Sequence, residues 1–306
     1  MVCPVCSCQL SLAQVRSIPY NKKTAPGCPF EKICFCPSCA VGIACPPLTD
    51  EAIGRIYTDG DYWRKYKVDH LLPRKNPGHY AMAQARWQFV EDHIISSGRK
   101  PEVSILDVGA GYGFFGMAAA QSRKVRLTHI GMTEQDKFFR ESLAKTWQKF
   151  FPQYAMKAWD SLKEAEGKYD VIVLSHILEH LNDPGAMLAE AISKLSDGGM
   201  VFVDVPHEDF LFKSDAFPHV LFYNASSVKE LLSRSGLRLA AMDCYGRSRR
   251  DMAQGEGGAG KLLENIVFKA RHVLPVAVST AFFDRTLAPA KKNSDGVWLR
   301  ALAALK

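Results

Sequence analysis

Apolar residues along the chain recur in two alternating patterns. Short, nearly unbroken β-rich runs, "VSIL" at 103–106, "YDVIVL" at 169–174 and "GGMVFVDV" at 198–205, have the pattern of strands buried on both faces. Between and before them lie longer stretches with helical spacing. "HYAMAQARWQFVEDHIISSG" (79–98) has helical periodicity and ends on glycine, a common helix stop, and "FFGMAAAQ" (114–121) starts another helix. "VRLTHIGMTEQD" (125–136) and "YAMKAWD" (154–160) read as further strands, as do "LRLAAMDCYG" (237–246) and "GVWLRALAAL" (296–305). The alternation predicts the α/β class. A helix and then a glycine turn are expected before the 198–205 strand, and an insertion with a glycine-rich start and a mainly helical remainder over about 251–293. There is no internal repeat.

The first 75 residues differ in kind. Eight of the nine cysteines lie there, at Cys3, Cys6, Cys8, Cys28, Cys34, Cys36, Cys39 and Cys45, while Cys244 stands alone and reads as a small core residue. The opening "MVCPVCSCQLSLAQ" lacks a basic segment followed by an apolar stretch. We therefore expect no signal peptide, a cytoplasmic protein and reduced thiols, so crowded cysteines favour metal over disulfides. "CPVC" and "CPSC" are two C-x-x-C pairs 29 residues apart, Cys3 with Cys6 and Cys36 with Cys39. Each turn can point two thiolates at one ion, and two turns complete the closed S4 set of a structural zinc. The four remaining early cysteines leave the ligand choice open, and a second ion is conceivable. After the knuckles, "PPLTDEAIGRIY" (46–57) reads as a helix leading into an aromatic-basic connector. The expected organisation is a Cys-rich zinc-binding domain over 1–75 and a larger domain over 76–306.

At 306 residues and 47% hydrophobic content the chain can bury a good core, and no apolar run is long enough to span a bilayer. The net charge of +7 is uneven: +4 over 1–78, −3 over 79–246 and +6 over 247–306. Basic flanks around an acidic middle suit an anionic small-molecule partner, or a surface that is merely solvated. A nucleic-acid partner gripped by the knuckles and "RSRRD" (247–251) is less favoured, because the basic residues are not interleaved with aromatics in a stacking platform.

Chemistry concentrates after the first strand of the large domain. Asp107 ends that strand, and Gly109, Gly111 and Gly113 form a turn whose backbone can press against a ligand. The following helix offers free N–H groups to a carboxylate or phosphate. Gly111, Gly113 and Gly116 also spell the dinucleotide G-x-G-x-x-G, which would suit NAD. The acid immediately before the glycines, however, resembles motif I of the class I S-adenosylmethionine-dependent methyltransferases, and the downstream order of elements over about 75–246 is similar.

That resemblance implies a Rossmann-like sheet of seven strands with the last, 296–305, antiparallel between the fifth and sixth. It implies S-adenosylmethionine as cofactor, with Asp107, Gly109, Gly111 and Gly113 at its methionine end. Glu134 at the end of the second strand would accept the ribose hydroxyls. Trp159 and Asp160 at the end of the third would stack on adenine and accept its amino protons, and Ser175 ends the fourth. "LSHILEHL" and "PHVLFYNASSVKELLSRSGL" resemble the small-molecule branch of that family, and the early C-x-x-C pairs resemble a zinc-binding subgroup that includes sugar C-methyltransferases. Those enzymes carry a Tyr-His-Glu-His cluster after the fifth strand, whereas "AFPHVLFY" offers His219 alone, which weakens the case for C-methylation of a keto-sugar.

"HILEH" (176–180) admits two readings. His176, Glu179 and His180 fit the H-x-x-E-H spelling of a zinc-peptidase helix, but that helix needs a third ligand and no matching downstream glutamate motif stands out. Following a buried strand in the fourth position, the segment belongs at the ligand-binding edge of an open sheet. His180 is then the leading candidate for general base or acceptor orientation, with His176 and His219 as second choices, and packing of the loop as the alternative. If helical, His176 and His180 share a face.

Overall fold

The computed structural model describes residues 1–11, 14–21, 27–58, 72–254, 266, 269–270, 274–275, 277–278, 281 and 292–306. The expected connector over 59–71 and most of the expected insertion lie outside them. In chain order the elements are β1 (Ser17–Pro19), β2 (Lys32–Phe35), β3 (Gly42–Cys45), α1 (Asp50–Thr58), α2 (Pro77–Ser96), β4 (Glu102–Val108), α3 (Phe114–Ala120), β5 (Arg126–Thr133) and α4 (Lys137–Phe150). They continue with β6 (Ala155–Trp159), β7 (Tyr169–Ser175), α5 (Pro184–Ser193), β8 (Leu195–Pro206), β9 (Leu221–Phe222), α6 (Ala225–Arg234), β10 (Leu237–Ser248), α7 (Arg249–Gln254) and β11 (Gly296–Leu305).

The large sheet has the order β10-β11-β8-β7-β4-β5-β6, and β11 runs antiparallel to both β8 and β10. β4 through β8 run parallel to one another. Alternate residues of the central strands feed opposite faces. Ile105, Val173 and Phe202 point to the layer of α2, α3 and α4, while Leu106, Ile172 and Val203 point to that of α5 and α6. Local chemistry sets the helix starts: Pro77 and Pro184 occupy first-turn positions, Asp136 caps α4 through Phe139 N, and Asn224 with Ser227 forms a capping box on α6. The glycine turn expected before the fifth strand is instead absorbed within β8. Its pairing jumps from Tyr169↔Leu195 to Val171↔Met200, with Gly198 left-handed inside the irregularity.

A second sheet, β1-β2-β3-β9, joins the Cys-rich segment to the rest of the chain. Its fourth strand comes from beyond β8, with Gly42 opposite Phe222 and Ile43 opposite Leu221. Phe30, Ile33 and Val41 therefore share one buried cluster with Leu221, Tyr223, Val203 and Leu231. No helix among the described residues is long and apolar enough to cross a membrane.

Candidate active site

Parallel register lines up the carboxyl ends of the strands. Val108 pairs with Thr133 and Leu174, Thr133 with Trp159, and Ser175 with Asp204. At this edge the β4–α3 turn folds back on β5: Gly109 N donates to Thr133 Oγ1 at 3.1 Å, and Gly111 N to Glu134 Oε2 at 3.3 Å. The three turn glycines all have positive φ, but the space around them differs. A Cβ on Gly109 would lie 2.3 Å from Ile177 Cδ1 and one on Gly113 2.5 Å from Leu143 Cδ1, whereas one on Gly111 would meet nothing nearer than Gly109 O at 3.9 Å. Gly111 thus presents bare backbone to an open cradle.

Two carboxylates face this cradle. Asp107 is 4% exposed and has no hydrogen-bond partner among the described residues. Burial pushes it up to about 7, against the pull of Arg86, and the charge of Glu134 adds to the rise. Glu134, 5% exposed, is likewise pushed up to about 7 by burial, despite backbone N–H groups of Asp136 and Gly111. Two buried acids that strain against ionisation suit a ligand that brings positive charge or hydrogen-bond donors.

The histidine cluster sits beside them. "HILEH" is not a helix: His176 is left-handed at φ +56°, and only Leu178–His180 form a single 3-10 turn. His176 and His180 therefore do not share a helical face. Arg86 on α2 pairs with Asp204 Oδ2 at 2.6 Å, touches Tyr245 Oη at 3.2 Å and donates to His176 Nε2 at 2.7 Å. Since guanidinium cannot accept, Nε2 is the acceptor, and the His176 proton sits on Nδ1, which meets Glu179 Oε1 at 2.9 Å. The lone pair of His176 is committed to Arg86, so it is poorly placed to take a substrate proton.

Glu179 is 1% exposed; burial alone would raise its carboxyl, but the surrounding histidines hold it down at about 2. Burial drives His180 the other way, to about 3, against the pull of Glu179, so His180 is a neutral imidazole. Its ring meets that of His219 edge-on, centroids 4.9 Å apart. His219 Nδ1 lies 2.8 Å from Asp209 Oδ2, short enough to pair the groups, although the angle falls outside hydrogen-bond geometry. Burial would raise Asp209, yet His219 and Lys213, at 2.9 Å, keep it below the usual carboxylate range.

The two C-x-x-C turns are locally alike. Ser7 and Ala40, each following the second cysteine, are left-handed, and each returns its N–H to the first cysteine's carbonyl at 2.9 Å. Sγ of Cys3 and Cys39 are 3.7 Å apart, those of Cys6 and Cys36 3.5 Å, and the four buried thiols converge within 4.8 Å. Cys8 touches Cys36 at 3.2 Å from the rim. The donor set fits a closed tetrahedral thiolate site.

Residues 67–241 match the family model described as a methyltransferase domain. The chain belongs to that methyltransferase family. The ubiquinone biosynthesis O-methyltransferase of Coxiella burnetii is 26% identical over 153 residues, 49% of this chain and 58% of that protein. That of Stutzerimonas stutzeri is 29% identical over 119 residues, covering 38% and 48%. The chain thus matches about half the length of these curated relatives. Among solved structures, the plantazolicin methyltransferase BpumL in complex with SAH shares the fold, with a TM-score of 0.51 at 15% identity over 83% of this chain and 94% of that one.

In this methyltransferase domain Asp107, Gly109, Gly111, Gly113 and Glu134 come together around one cradle. Ser175 lies beside it, 3.4 Å from Asp204. Trp159 gives its backbone carbonyl to Glu134 N at 3.0 Å, but its half-buried ring packs back on the sheet, where a Cβ on Gly131 would touch it. Asp160 is exposed, near Glu164. Arg86, Asp204, Asp209 and Tyr245 were not singled out by sequence reasoning. Their partners lie far along the chain and no local motif announces them.

Proposed function

We propose that the protein transfers the methyl group of S-adenosylmethionine to a small-molecule acceptor at the carboxyl edge of the large sheet. The observation that carries this reading is the buried, unpartnered carboxylate of Asp107 beside the open face of Gly111. Asp107, Gly109, Gly111 and Gly113 hold the methionine end, Glu134 the ribose, and Trp159, Asp160 and Ser175 line the remaining edge. When bound, the cofactor supplies an already activated methyl electrophile, so the chain's work is to align the acceptor and manage its proton. That task falls to the Glu179, His180 and His219 cluster, with His176 as a positioning residue behind Glu179. The O-methylation named for the curated relatives supports an acceptor hydroxyl. Net positive flanks favour an anionic acceptor such as a nucleotide-linked sugar or another acidic metabolite. Cys3, Cys6, Cys36 and Cys39 hold one structural zinc, in an N-terminal unit like that of the sugar C-methyltransferases.

Calorimetry with S-adenosylhomocysteine and, separately, NAD tests the cofactor assignment. Micromolar or tighter binding of the first alone is expected, and binding of NAD alone would overturn it. The acceptor class follows from incubating the protein with methyl-labelled cofactor and a panel of hydroxylated anions. His180→Ala should keep cofactor affinity while turnover falls about a hundredfold, the usual scale for losing a proton-handling group.

A further inference from the structure

Glu179, His180 and His219 each bring one donor atom to a common space, all within 4.8 Å of one another. Two come from the turn after β7 and the third from the segment entering β9. Nε2 of His180 is 3.8 Å from Glu179 Oε1. Bonds of ~2.0–2.1 Å to a tetrahedral ion would set ligand atoms roughly 3.3–3.4 Å apart, so the three donor atoms, already within 4.8 Å of one another, need only draw together to form a coordination shell. Glu179 also has an unmet demand. Its Oε1 receives His176, while Oε2 is buried with no hydrogen-bond partner. A buried carboxylate oxygen without a donor is costly, and a cation would satisfy it.

The groups behind the cluster have the arrangement of an outer metal shell. Asp209 stands 2.8 Å from His219 Nδ1, the place of a carboxylate behind a ligating imidazole, which leaves Nε2 for the ion. His176, oriented by Arg86, steadies Glu179 from the other side. The low exposure of Glu179 and His180 suits a dry site, and two imidazoles with one carboxylate is a donor set that keeps a position open for substrate.

We propose that Glu179, His180 and His219 bind a divalent ion of the zinc class, separate from the four-thiolate site. Two of its ligands belong to "HILEH", but the first histidine of that motif is a supporting group, unlike in the peptidase pattern. What the ion does rests on the methyl-transfer reading above: it takes the acceptor hydroxyl in its open position. The hydroxyl proton leaves to solvent, and the ion-bound oxygen attacks the methyl carbon. The carbon–sulfur bond then breaks, and its electron pair goes to sulfur, giving the methyl ether and S-adenosylhomocysteine. The acceptor class is accordingly an alcohol or phenol.

The test is metal counting on the purified full chain, stripped with a chelator and reloaded with Zn²⁺. Wild type is compared with Cys36→Ser, Glu179→Gln and Asp209→Asn, and S-adenosylhomocysteine binding is measured on each as the control for folding. Glu179→Gln should hold one equivalent fewer than wild type with cofactor affinity within about threefold. Asp209→Asn should weaken that same equivalent about 10- to 100-fold, the scale of an outer-shell loss. Reloaded with Co²⁺, Cys36→Ser should lose the sulfur charge-transfer band and keep a nitrogen–oxygen cobalt spectrum. Equal metal content in wild type and Glu179→Gln, with cofactor binding intact, would overturn the proposal and leave methyl transfer standing. A wild type that loads this equivalent but binds no S-adenosylhomocysteine would do the reverse.

Discussion

Arg86 and His176 meet at 2.7 Å, guanidinium to Nε2, and this one contact assigns the histidine's proton to Nδ1 and points it at Glu179. The two residues stand 90 positions apart, one on α2 and one after β7. Through Asp204 and Tyr245, Arg86 also ties the helix to β8 and β10.

Arg86→Met is expected to destabilise the fold by about 3–5 kcal/mol, because the Asp204 carboxylate, wholly buried, is left without its counter-charge. Equilibrium denaturation measures this. A loss below about 1 kcal/mol would mean that water or Tyr245 replaces the guanidinium.

Gly111→Val separates binding from folding. Its side chain enters open space in the protein and the path of the ligand's backbone, and its left-handed φ of +53° adds strain of order 1–3 kcal/mol. Affinity for S-adenosylhomocysteine should fall more than a hundredfold while the protein stays folded. Gly109→Ala should show the opposite balance, since its Cβ collides with Ile177. Normal cofactor affinity in Gly111→Val would show that the ligand lies elsewhere.

Asp107 and Glu134 carry a pH signature. Both have folded-state pKa values of about 7, above their ordinary range, so the folded protein binds more protons than the unfolded chain. Their contribution to stability is therefore largest near pH 4 and falls as pH rises through 7. Asp107→Asn should raise the stability of the ligand-free protein at pH 8 by on the order of 2 kcal/mol while weakening cofactor binding. Wild-type cofactor affinity should run the other way and strengthen from pH 6 to pH 8. Melting curves and calorimetry across that interval test both signs, and a flat affinity profile would remove the two acids from the binding step.

Cys36→Ser should release the zinc proposed for the thiol cluster and loosen the small sheet. The consequences reach the acceptor side, because β3 pairs with β9 and Ala44 N holds Val220 O at 2.9 Å, next to His219. Turnover should therefore fall further than cofactor affinity does. Metal analysis finding no zinc in freshly purified wild type would refute the site, and equal losses in turnover and affinity would refute the coupling.

Much of this was legible along the chain because the signals are local. Unbroken apolar runs mark strands buried on both faces, a prolyl or Asx residue stands at the starts of α2, α4, α5 and α6, and glycine marks the left-handed turn before α3. A cysteine pair with two residues between its members closes its own knuckle, so the ligand candidates could be named before any fold was known. The order of elements also placed β11 between β8 and β10, since that topology follows from the family the motifs resemble.

What only the tertiary structure decided are the pairings between segments remote in sequence. The shared face that His176 and His180 would have had in a helix does not form, because His176, drawn to Arg86 and Asp204, takes a left-handed backbone that no helix tolerates. Asp209 acquires a role beside His219 through a loop closure that hydrophobic pattern does not encode. The strand β9 is two residues long, too short for periodicity to register, yet it completes the Cys-rich sheet. Composition and period determine which residues are buried and in what element. Burial of charge then demands a partner wherever the fold brings one, and that choice is made in three dimensions, because an unpaired charge in a dry interior is too costly to leave.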